Sequence, residues 1–341
     1  MSEPQTKVEE SKFFDVRANS VLLDAPLGFD VYLSVSGRPT LFRKKGDVLT
    51  QDRMVRLQQH GGQGFLVPLD QRALYLDSLK SGLKDPSATR ETKSRMIKES
   101  AFIHVHDLFT KQDLTQVVDD AKSLVDDMVT FVTGDVEALG SLLRLSVHDY
   151  YTYNHCVDVS VYSIAIAKRV VGEDKDMLIM AGLGGLLHDV GKRRLAWDLI
   201  NKAGKLSQQD WVEIKKHPTY GKEILENNPA IPEGARRIVF EHHENFDGTG
   251  YPQGLSDEKI GVLSRITTIA DVFDALTTRR SYHAPVPASE AMSIMFGMQP
   301  GKFDPVLFEA FNKRLTTKSP LEAAPDFDPC SIDPLSKVKA A

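Results

Sequence analysis

The pattern of apolar and polar positions divides the chain into a mixed N-terminal part and a helical C-terminal part. Short β-like runs alternate with helical runs over residues 20–85, which predicts a small α/β or α+β regulatory domain. Apolar positions recur at helical spacing over residues 136–315, which predicts an all-α helical bundle. Residues 1–19 and 316–341 are polar, and we expect both segments to be disordered.

Residues 86–135 are predicted to form a helical connector between these parts. Apolar side chains in this segment recur at spacings of 4, 3, 4 and 4, with aspartates off the apolar face. The stripe comprises Val117, Ala121, Leu124, Met128 and Val132. It predicts either the seam of a homodimer or packing against its own domain, and the pattern leaves both open.

Composition and charge exclude several classes of protein. Hydrophobic residues make up 41% and charged residues 26% of the 341 positions, with a net charge of −5. Such a balance disfavours binding to DNA, which requires excess lysine and arginine. The longest apolar run, residues 177–187, is shorter than the roughly 20 residues that span a bilayer. With two cysteines and a polar N-terminus, we expect a cytoplasmic protein without a membrane span.

Histidines and aspartates stand out at the ends of two apolar runs. His188 and Asp189 follow the run at residues 177–187, and His242 and His243 follow the run at residues 238–240. An ionised carboxylate beside an apolar helix is costly unless a positive charge compensates it, and a divalent cation is the natural compensation. A lone histidine is more often a core or surface residue, so this prediction depends on the whole set.

Taken together, these motifs resemble the HD-GYP family of the HD phosphohydrolase superfamily. The two main motifs are HDVGK at residues 188–192 and HHENFDGTGYP at residues 242–252. Supporting motifs lie in family order at residues 153–155, 201–206, 216–218, 269–277 and 303–305. The resemblance covers about residues 140–315, and the N-terminal part resembles a domain of unknown function that often precedes HD-GYP domains.

The resemblance implies a metal cluster whose ligands come from separate helices of a bundle. The implied ligands are His155, His188, Asp189, His217, His242, His243 and Asp271. Seven nitrogen and oxygen ligands are too many for one tetrahedral zinc and suit two divalent ions, iron first and manganese next, with Asp189 bridging them. Family members with a third metal carry a glutamate four residues before the first histidine, where this chain has Tyr151.

The resemblance further implies hydrolysis of the bacterial second messenger cyclic di-GMP to pGpG, with GMP as a further product left open. Paired cations activate water for attack on phosphorus, with Asp189 and Lys192 as the catalytic residues. The implied substrate contacts are Lys192, Arg279, Arg280 and Tyr251. Two departures from the family pattern, Ser281 and His283, put the affinity for substrate in question more than the catalysis.

Two further acidic residues are candidates for orienting the ligand imidazoles, namely Glu244 and Asp274. For Asp274, a surface salt bridge is the competing interpretation. Gly248, Gly250 and Pro252 are expected to shape a loop rather than to supply chemistry.

Two other functions are compatible with the sequence. The domain can bind a cyclic dinucleotide or a signalling partner with low turnover, or it can be another HD phosphohydrolase that acts on mononucleotides. The expected partners are cyclic di-GMP, a diguanylate cyclase or other signalling protein, and a second copy joined through residues 86–135.

Overall fold

A computed structural model of the protein describes residues 12–59, 64–135, 137–144, 151–200, 202, 204–278 and 285–316. The chain divides into two compact units whose boundary falls between Ser100 and Ala101, and each unit is described by itself. This division differs from the predicted boundaries at residues 85 and 135, because part of the predicted connector belongs to each unit.

The N-terminal unit contains a four-stranded antiparallel sheet. Its strands are β1 (Phe13–Arg17), β2 (Val31–Val35), β3 (Arg38–Arg43) and β4 (Gly64–Pro68), in the order β1-β4-β2-β3. Strand β1 lies within residues 1–19, which the sequence predicts to be disordered, and that prediction is wrong for this strand. Val16 of β1 pairs with Phe65 of β4, and both side chains are buried. The burial of this pair stabilises a strand whose own sequence is short and polar at alternate positions.

Helices cover the sheet and complete the α+β domain that the sequence predicts. They are α1 (Gln51–Gln59), α2 (Arg72–Lys84) and the first part of α3 (Arg90–Thr110). Tyr75 of α2 is fully buried, and its ring meets the edge of Phe29 at a centroid distance of 5.1 Å. The Tyr75 hydroxyl lies 2.6 Å from Ser20 Oγ and donates to Glu99 Oε1 at 3.1 Å, so the polar tip of this ring has partners in the core.

The C-terminal unit is a helical bundle, as the apolar periodicity predicts. Its helices after α3 are α4 (Thr115–Gly134), α5 (Ala138–Arg144), α6 (Tyr151–Val171), α7 (Lys175–Leu187), α8 (Trp197–Ile200), α9 (Gln208–Ile214), α10 (His217–Leu225), α11 (Glu233–Glu241), α12 (Val262–Thr277), α13 (Ala288–Gly297) and α14 (Pro305–Thr316). A 3₁₀ turn at Val190–Arg194 follows α7. The capping box between Ser207 and Asp210 is present at the start of α9.

Helix α7 is the central element of the bundle. It packs against α4, α6, α11 and α12, and Leu178, Leu183 and Leu187 are each at most 1% exposed. A helix that is apolar on all sides is buried on all sides. His188 directly follows this helix and is therefore buried in the core.

The apolar stripe of α4 packs within its own unit. All five residues of the stripe are buried, and α4 contacts α6 and α7. This confirms the second of the two interpretations of the stripe, while a homodimer through residues 86–135 stays a prediction. Among the helices of the described residues, none combines the length and the apolarity needed to cross a bilayer.

Candidate metal centre

The predicted ligands come together because they lie on helices that pack against one another. His155 is on α6, His188 and Asp189 follow α7, His217 begins α10, His242 and His243 follow α11, and Asp271 is on α12. Within three overlapping groups, one ligand atom from each residue lies within 4.8 Å of the others. The groups are His217, His242 and His243; His155, His188 and Asp271; and His188, Asp189 and His242. Every one of the seven predicted ligands belongs to at least one group.

Three of the imidazoles are held by main-chain carbonyls. His188 Nδ1 donates to Gly185 O at 2.7 Å, and His242 Nδ1 donates to Val239 O at 3.0 Å. His217 Nδ1 donates likewise to the carbonyl of Ile214 at 2.8 Å. A carbonyl only accepts, so the proton of each ring is on Nδ1 and the lone pair is on Nε2.

The lone pairs of these rings point toward a common centre. His217 Nε2 lies 3.2 Å from His242 Nε2, and two lone pairs at that distance repel each other unless a cation attracts both. His188 Nε2 is buried and has no hydrogen-bond partner among the described residues. Buried polar atoms without partners are rare and call for an explanation such as an ion.

Two carboxylates lie among the imidazoles. Asp189 Oδ2 lies 3.4 Å from His188 Nε2, and Asp189 Oδ1 lies 3.4 Å from His217 Nε2. Asp271 Oδ1 accepts from His155 Nε2 at 3.2 Å. Each oxygen of Asp189 therefore faces a different imidazole, so this carboxylate would hold a cation together with either ring.

Charge states in the cluster favour cation binding. Burial lowers the pKa of His217 to about 4, and burial together with neighbouring imidazoles lowers the pKa of His242 and His243 well below the ordinary value. Burial opposes ionisation of Asp189 and Asp271, but Lys192 and the imidazoles outweigh it, and the pKa of each carboxyl lies well below its usual range. At neutral pH these rings are neutral ligands and the carboxylates are charged.

His155 differs from the other imidazoles because two carboxylates face it. Its Nδ1 donates to Asp274 Oδ2 at 2.6 Å, and Asp274 is buried. Burial lowers the pKa of His155, but the bonds to Asp271 and Asp274 outweigh it and raise the pKa to about 9. A cation at His155 therefore displaces a proton. Asp274 orients this imidazole, and the competing surface salt bridge is excluded.

Glu244 has a different role from the predicted one. Its two carboxylate oxygens accept from the backbone amides of Gln253 at 2.7 Å and Leu255 at 3.0 Å. The buried carboxylate thus anchors the loop at residues 245–255, and among the described residues it makes no hydrogen bond to an imidazole of the cluster. Gly250 lies where this loop crosses the chain after α11, and a Cβ there would stand 2.2 Å from Asn245 N, so only glycine fits.

Tyr251, predicted to contact substrate, lies beside the cluster. Its ring centroid is 4.8 Å from that of His243. Lys215, the residue that directly follows α9, places its Nζ 5.2 Å from the centroid of the Tyr251 ring. Burial and the nearby carboxylates raise the pKa of Tyr251 above its usual range. The phenol therefore stays protonated and can donate a hydrogen bond.

Lys192, the predicted catalytic cation, reaches the cluster. Its ammonium donates to Asp189 Oδ2 at 2.6 Å, and its side chain is 26% exposed. The His243 side chain is 23% exposed, whereas His188 and His217 are each 1% exposed. Lys192 and His243 therefore mark the open side of the cluster, from which a substrate can approach.

Some of the residues singled out in the sequence cannot be compared with the structure. Arg279 and Arg280, with Ser281 and His283, are outside the described residues, and for Tyr151 only its place at the start of α6 is described. Conversely, sequence reasoning missed Lys215 and Lys302. Lys302 directly precedes the FDP motif, whose Asp304 accepts from Val306 N at 2.8 Å at the start of α14. The position of Lys302 directly before that supporting motif was the signal that could have identified it.

The residues fit a centre that binds divalent cations. Unpaired Nε2 lone pairs, two ionised carboxylates and a buried atom without a partner are explained together by bound ions, and not by hydrogen bonding among the described side chains. A mixture of imidazole and carboxylate ligands suits iron, manganese, cobalt or nickel better than magnesium.

Comparison with known proteins gives independent findings. Residues 154–307 match the family model described as HD domain. A cyclic di-GMP phosphodiesterase of Pseudomonas aeruginosa is 36% identical over 237 residues, which cover 67% of this chain and 56% of the relative. A 3′3′-cGAMP-specific phosphodiesterase of Vibrio cholerae is 36% identical over 165 residues, which cover 48% of this chain and 35% of the relative. The chain thus spans about half or less of these relatives' lengths.

One solved structure matches most of the chain. An HDG"Y"P protein from Bdellovibrio bacteriovorus aligns with a TM-score of 0.70 at 22% sequence identity, covering 89% of this chain and 99% of that chain. At this identity the likeness shows the fold alone.

Proposed function

We propose that this chain, whose residues 154–307 match the HD domain family model, is a metal-dependent phosphodiesterase that hydrolyses cyclic di-GMP. The observation that carries the proposal is the convergence of seven imidazole and carboxylate side chains, with Lys192 at their open side. The name of the Pseudomonas aeruginosa relative supports the substrate.

Two divalent cations are the proposed cofactors, iron first and manganese next. When bound, such a pair lowers the pKa of water and stabilises the charge that develops on a phosphodiester. The imidazoles of His188, His217 and His242 present Nε2 lone pairs from rings fixed by main-chain carbonyls. Asp189, with an oxygen facing each side, is the proposed bridge.

The chain's own groups at the open side bind and orient the substrate. Lys192 is proposed to meet the negative charge on the reacting phosphate. The protonated phenol of Tyr251 is placed to donate a hydrogen bond to a phosphate or base, and its ring offers a stacking surface beside His243. Arg279 and Arg280 stay predicted substrate contacts.

The proposed product is linear pGpG, with GMP formed if the linear dinucleotide is cleaved again. A second candidate substrate is 3′3′-cGAMP, because a relative of equal identity is named for it. Both molecules are cyclic dinucleotides with two phosphodiesters, so the same ligand cluster serves either reaction. A low-turnover binding role, a diguanylate cyclase partner, a homodimer and a cytoplasmic location stay predictions.

Metal analysis and turnover on one sample test this proposal. Protein purified without oxygen and loaded with Fe²⁺ or Mn²⁺ is expected to hold about two ions per chain and to convert cyclic di-GMP to pGpG. A panel with 3′3′-cGAMP and mononucleotides ranks the substrates. Loaded protein that binds cyclic di-GMP without turnover would instead support the binding module, and three ions would contradict the count.

Variants of the ligands make the test specific. His188→Ala and Asp189→Ala are expected to abolish metal loading and turnover while the helical content by circular dichroism is retained. Asp176→Ala is the matched control, because this exposed aspartate lies in the first turn of the same helix. Hydrolysis retained in both ligand variants would refute the assigned site.

A further inference from the structure

Lys302 lies beside the cluster on a segment that the proposed mechanism does not use. Its carbonyl accepts from Phe246 N at 3.1 Å, and the carbonyl of Gly301 accepts from Asp247 N at 2.9 Å. Residues 301 and 302 therefore run next to the start of the loop that follows His242 and His243. The chain is held there by main-chain bonds, which fixes the base of the Lys302 side chain.

The Lys302 side chain is partly buried, and the charges of two carboxylates act on its ammonium. Burial lowers the pKa of Lys302, and the charges of Asp271 and Asp247 oppose that effect. No carboxylate of the described residues lies within 4.0 Å of the ammonium, and its side chain makes no hydrogen bond among them. A partly buried ammonium without a close partner is costly, so the fold holds a cation here without satisfying it.

We propose that Lys302 binds a phosphodiester of the substrate, as a second cation beside Lys192. This inference rests on the proposed function. Asp271 is an assigned metal ligand, so bound cations take up its charge and repel the neighbouring ammonium. An anionic ligand then supplies the partner that the protein does not. Cyclic di-GMP carries two phosphodiesters, and Lys192 already donates to Asp189.

A merely charge-balancing role for Lys302 makes the opposite prediction. If the ammonium serves only to neutralise Asp271, its removal leaves substrate binding unchanged. In either case, removing a positive charge near the ligands leaves the affinity for metal the same or increases it, because cation repulsion falls. Substrate affinity therefore separates the two roles, and an unchanged or higher metal affinity shows that the metal ligands are intact.

The test compares Lys302→Met and Lys302→Arg with Lys175→Met in full-length protein loaded with Mn²⁺. Lys175 is an exposed lysine paired with Asp126, at the start of the helix that precedes His188, about 20 Å away along the helix. The readouts are KM and kcat for cyclic di-GMP, the dissociation constant of inorganic phosphate by calorimetry, and manganese per chain.

Lys302→Met is expected to raise KM by at least about tenfold, which corresponds to about 1.4 kcal/mol, with a smaller change in kcat and the full metal content. Phosphate binding is expected to weaken in parallel, and Lys302→Arg to restore most of both. Lys175→Met should match the wild type. An unchanged KM and phosphate affinity in Lys302→Met, or a loss confined to kcat, would overturn the inference.

Failure of the proposed function gives a different result. If wild-type protein with its full metal content turns over no cyclic di-GMP, the proposed substrate is wrong. The affinity for inorganic phosphate then tests the role of Lys302 separately. Weaker phosphate binding in Lys302→Met supports an anion-binding role for this lysine, and equal binding refutes it.

Discussion

Replacing Gly191 by alanine tests how the cluster is assembled. The 3₁₀ turn at Val190–Arg194 carries Lys192 and packs on the start of α10. An added Cβ at Gly191 would stand 1.9 Å from His217 O and 2.5 Å from Gly221 N. Both obstacles are main-chain atoms, so no side-chain rotation can relieve the clash.

The size of the effect follows from that distance. Ordinary van der Waals contact begins at 3.4 Å, so the turn and α10 would have to separate by about 1.5 Å. Functional groups need to be held within about 0.5 Å of their geometry, and the displaced residue is the ligand His217 itself. Overpacking of this kind costs about 1–3 kcal/mol, or roughly 2–12 °C in Tm for a domain of this size.

Calorimetry and metal titration measure the two consequences. Gly191→Ala is expected to lower Tm by that amount without metal and to weaken Mn²⁺ binding by at least about tenfold, comparable to the loss of a group that orients a ligand. Gly134→Ala is the control, because a Cβ at this position in α4 meets nothing within 4 Å. If Gly191→Ala equals Gly134→Ala in both Tm and metal affinity, the close approach is not what positions His217.

Three other predictions follow from the side chains around the cluster. In metal-free protein, folding raises the pKa of His155 from 6.5 to about 9. The protonated ring therefore adds stability that is complete below pH 6.5 and is lost as pH rises through 9. A Tm that does not fall between these pH values would contradict this prediction. Asp274→Asn should reduce that fall and weaken metal binding about tenfold or more by titration, and unchanged affinity would show that it does not orient His155. Glu244→Ala should lower the free energy of unfolding in urea by roughly 1–3 kcal/mol, since two backbone amides lose their acceptor, while loss of metal would contradict its role in the loop.

Some of the predicted ligands could be identified from sequence because their positions conflict with their surroundings, whereas His155, His217 and Asp271 followed only from the resemblance to a known family. His188 and His242 each follow an apolar run, where a polar side chain is retained only if something binds it. The same logic identifies Asp189. The structure adds what spacing cannot give, namely which of these side chains face one another across helices that are far apart in the sequence.

Asp274 and Glu244, both predicted to orient ligand imidazoles, show where sequence reasoning holds and where it fails. Asp271 and Asp274 are three positions apart on α12, so they share a helix face, and His155 lies between their carboxylates. Glu244 is adjacent to His243, but it lies beyond the end of α11, where the chain enters the loop. Its carboxylate therefore reaches the loop at residues 245–255 instead of the cluster.

Strand β1 and Lys302 depend on contacts that no local pattern records. Val16 is buried only because Phe65, far away in the sequence, pairs with it. Lys302 lies beside the cluster only because residues 301 and 302 bond to the chain at residues 246 and 247. Long-range pairing of this kind determines the structure but produces no periodic pattern of apolar residues in the sequence.

The imidazole orientations have a common origin in the ends of helices. The last carbonyls of a helix have no amide partner within it. His188, His217 and His242 each donate Nδ1 to a carbonyl three residues earlier, in the last turn of α7, α9 or α11. One bond thus satisfies the helix end and places the lone pair on Nε2. The orientation of these three imidazoles is therefore set by backbone geometry, and it does not depend on a bound ion.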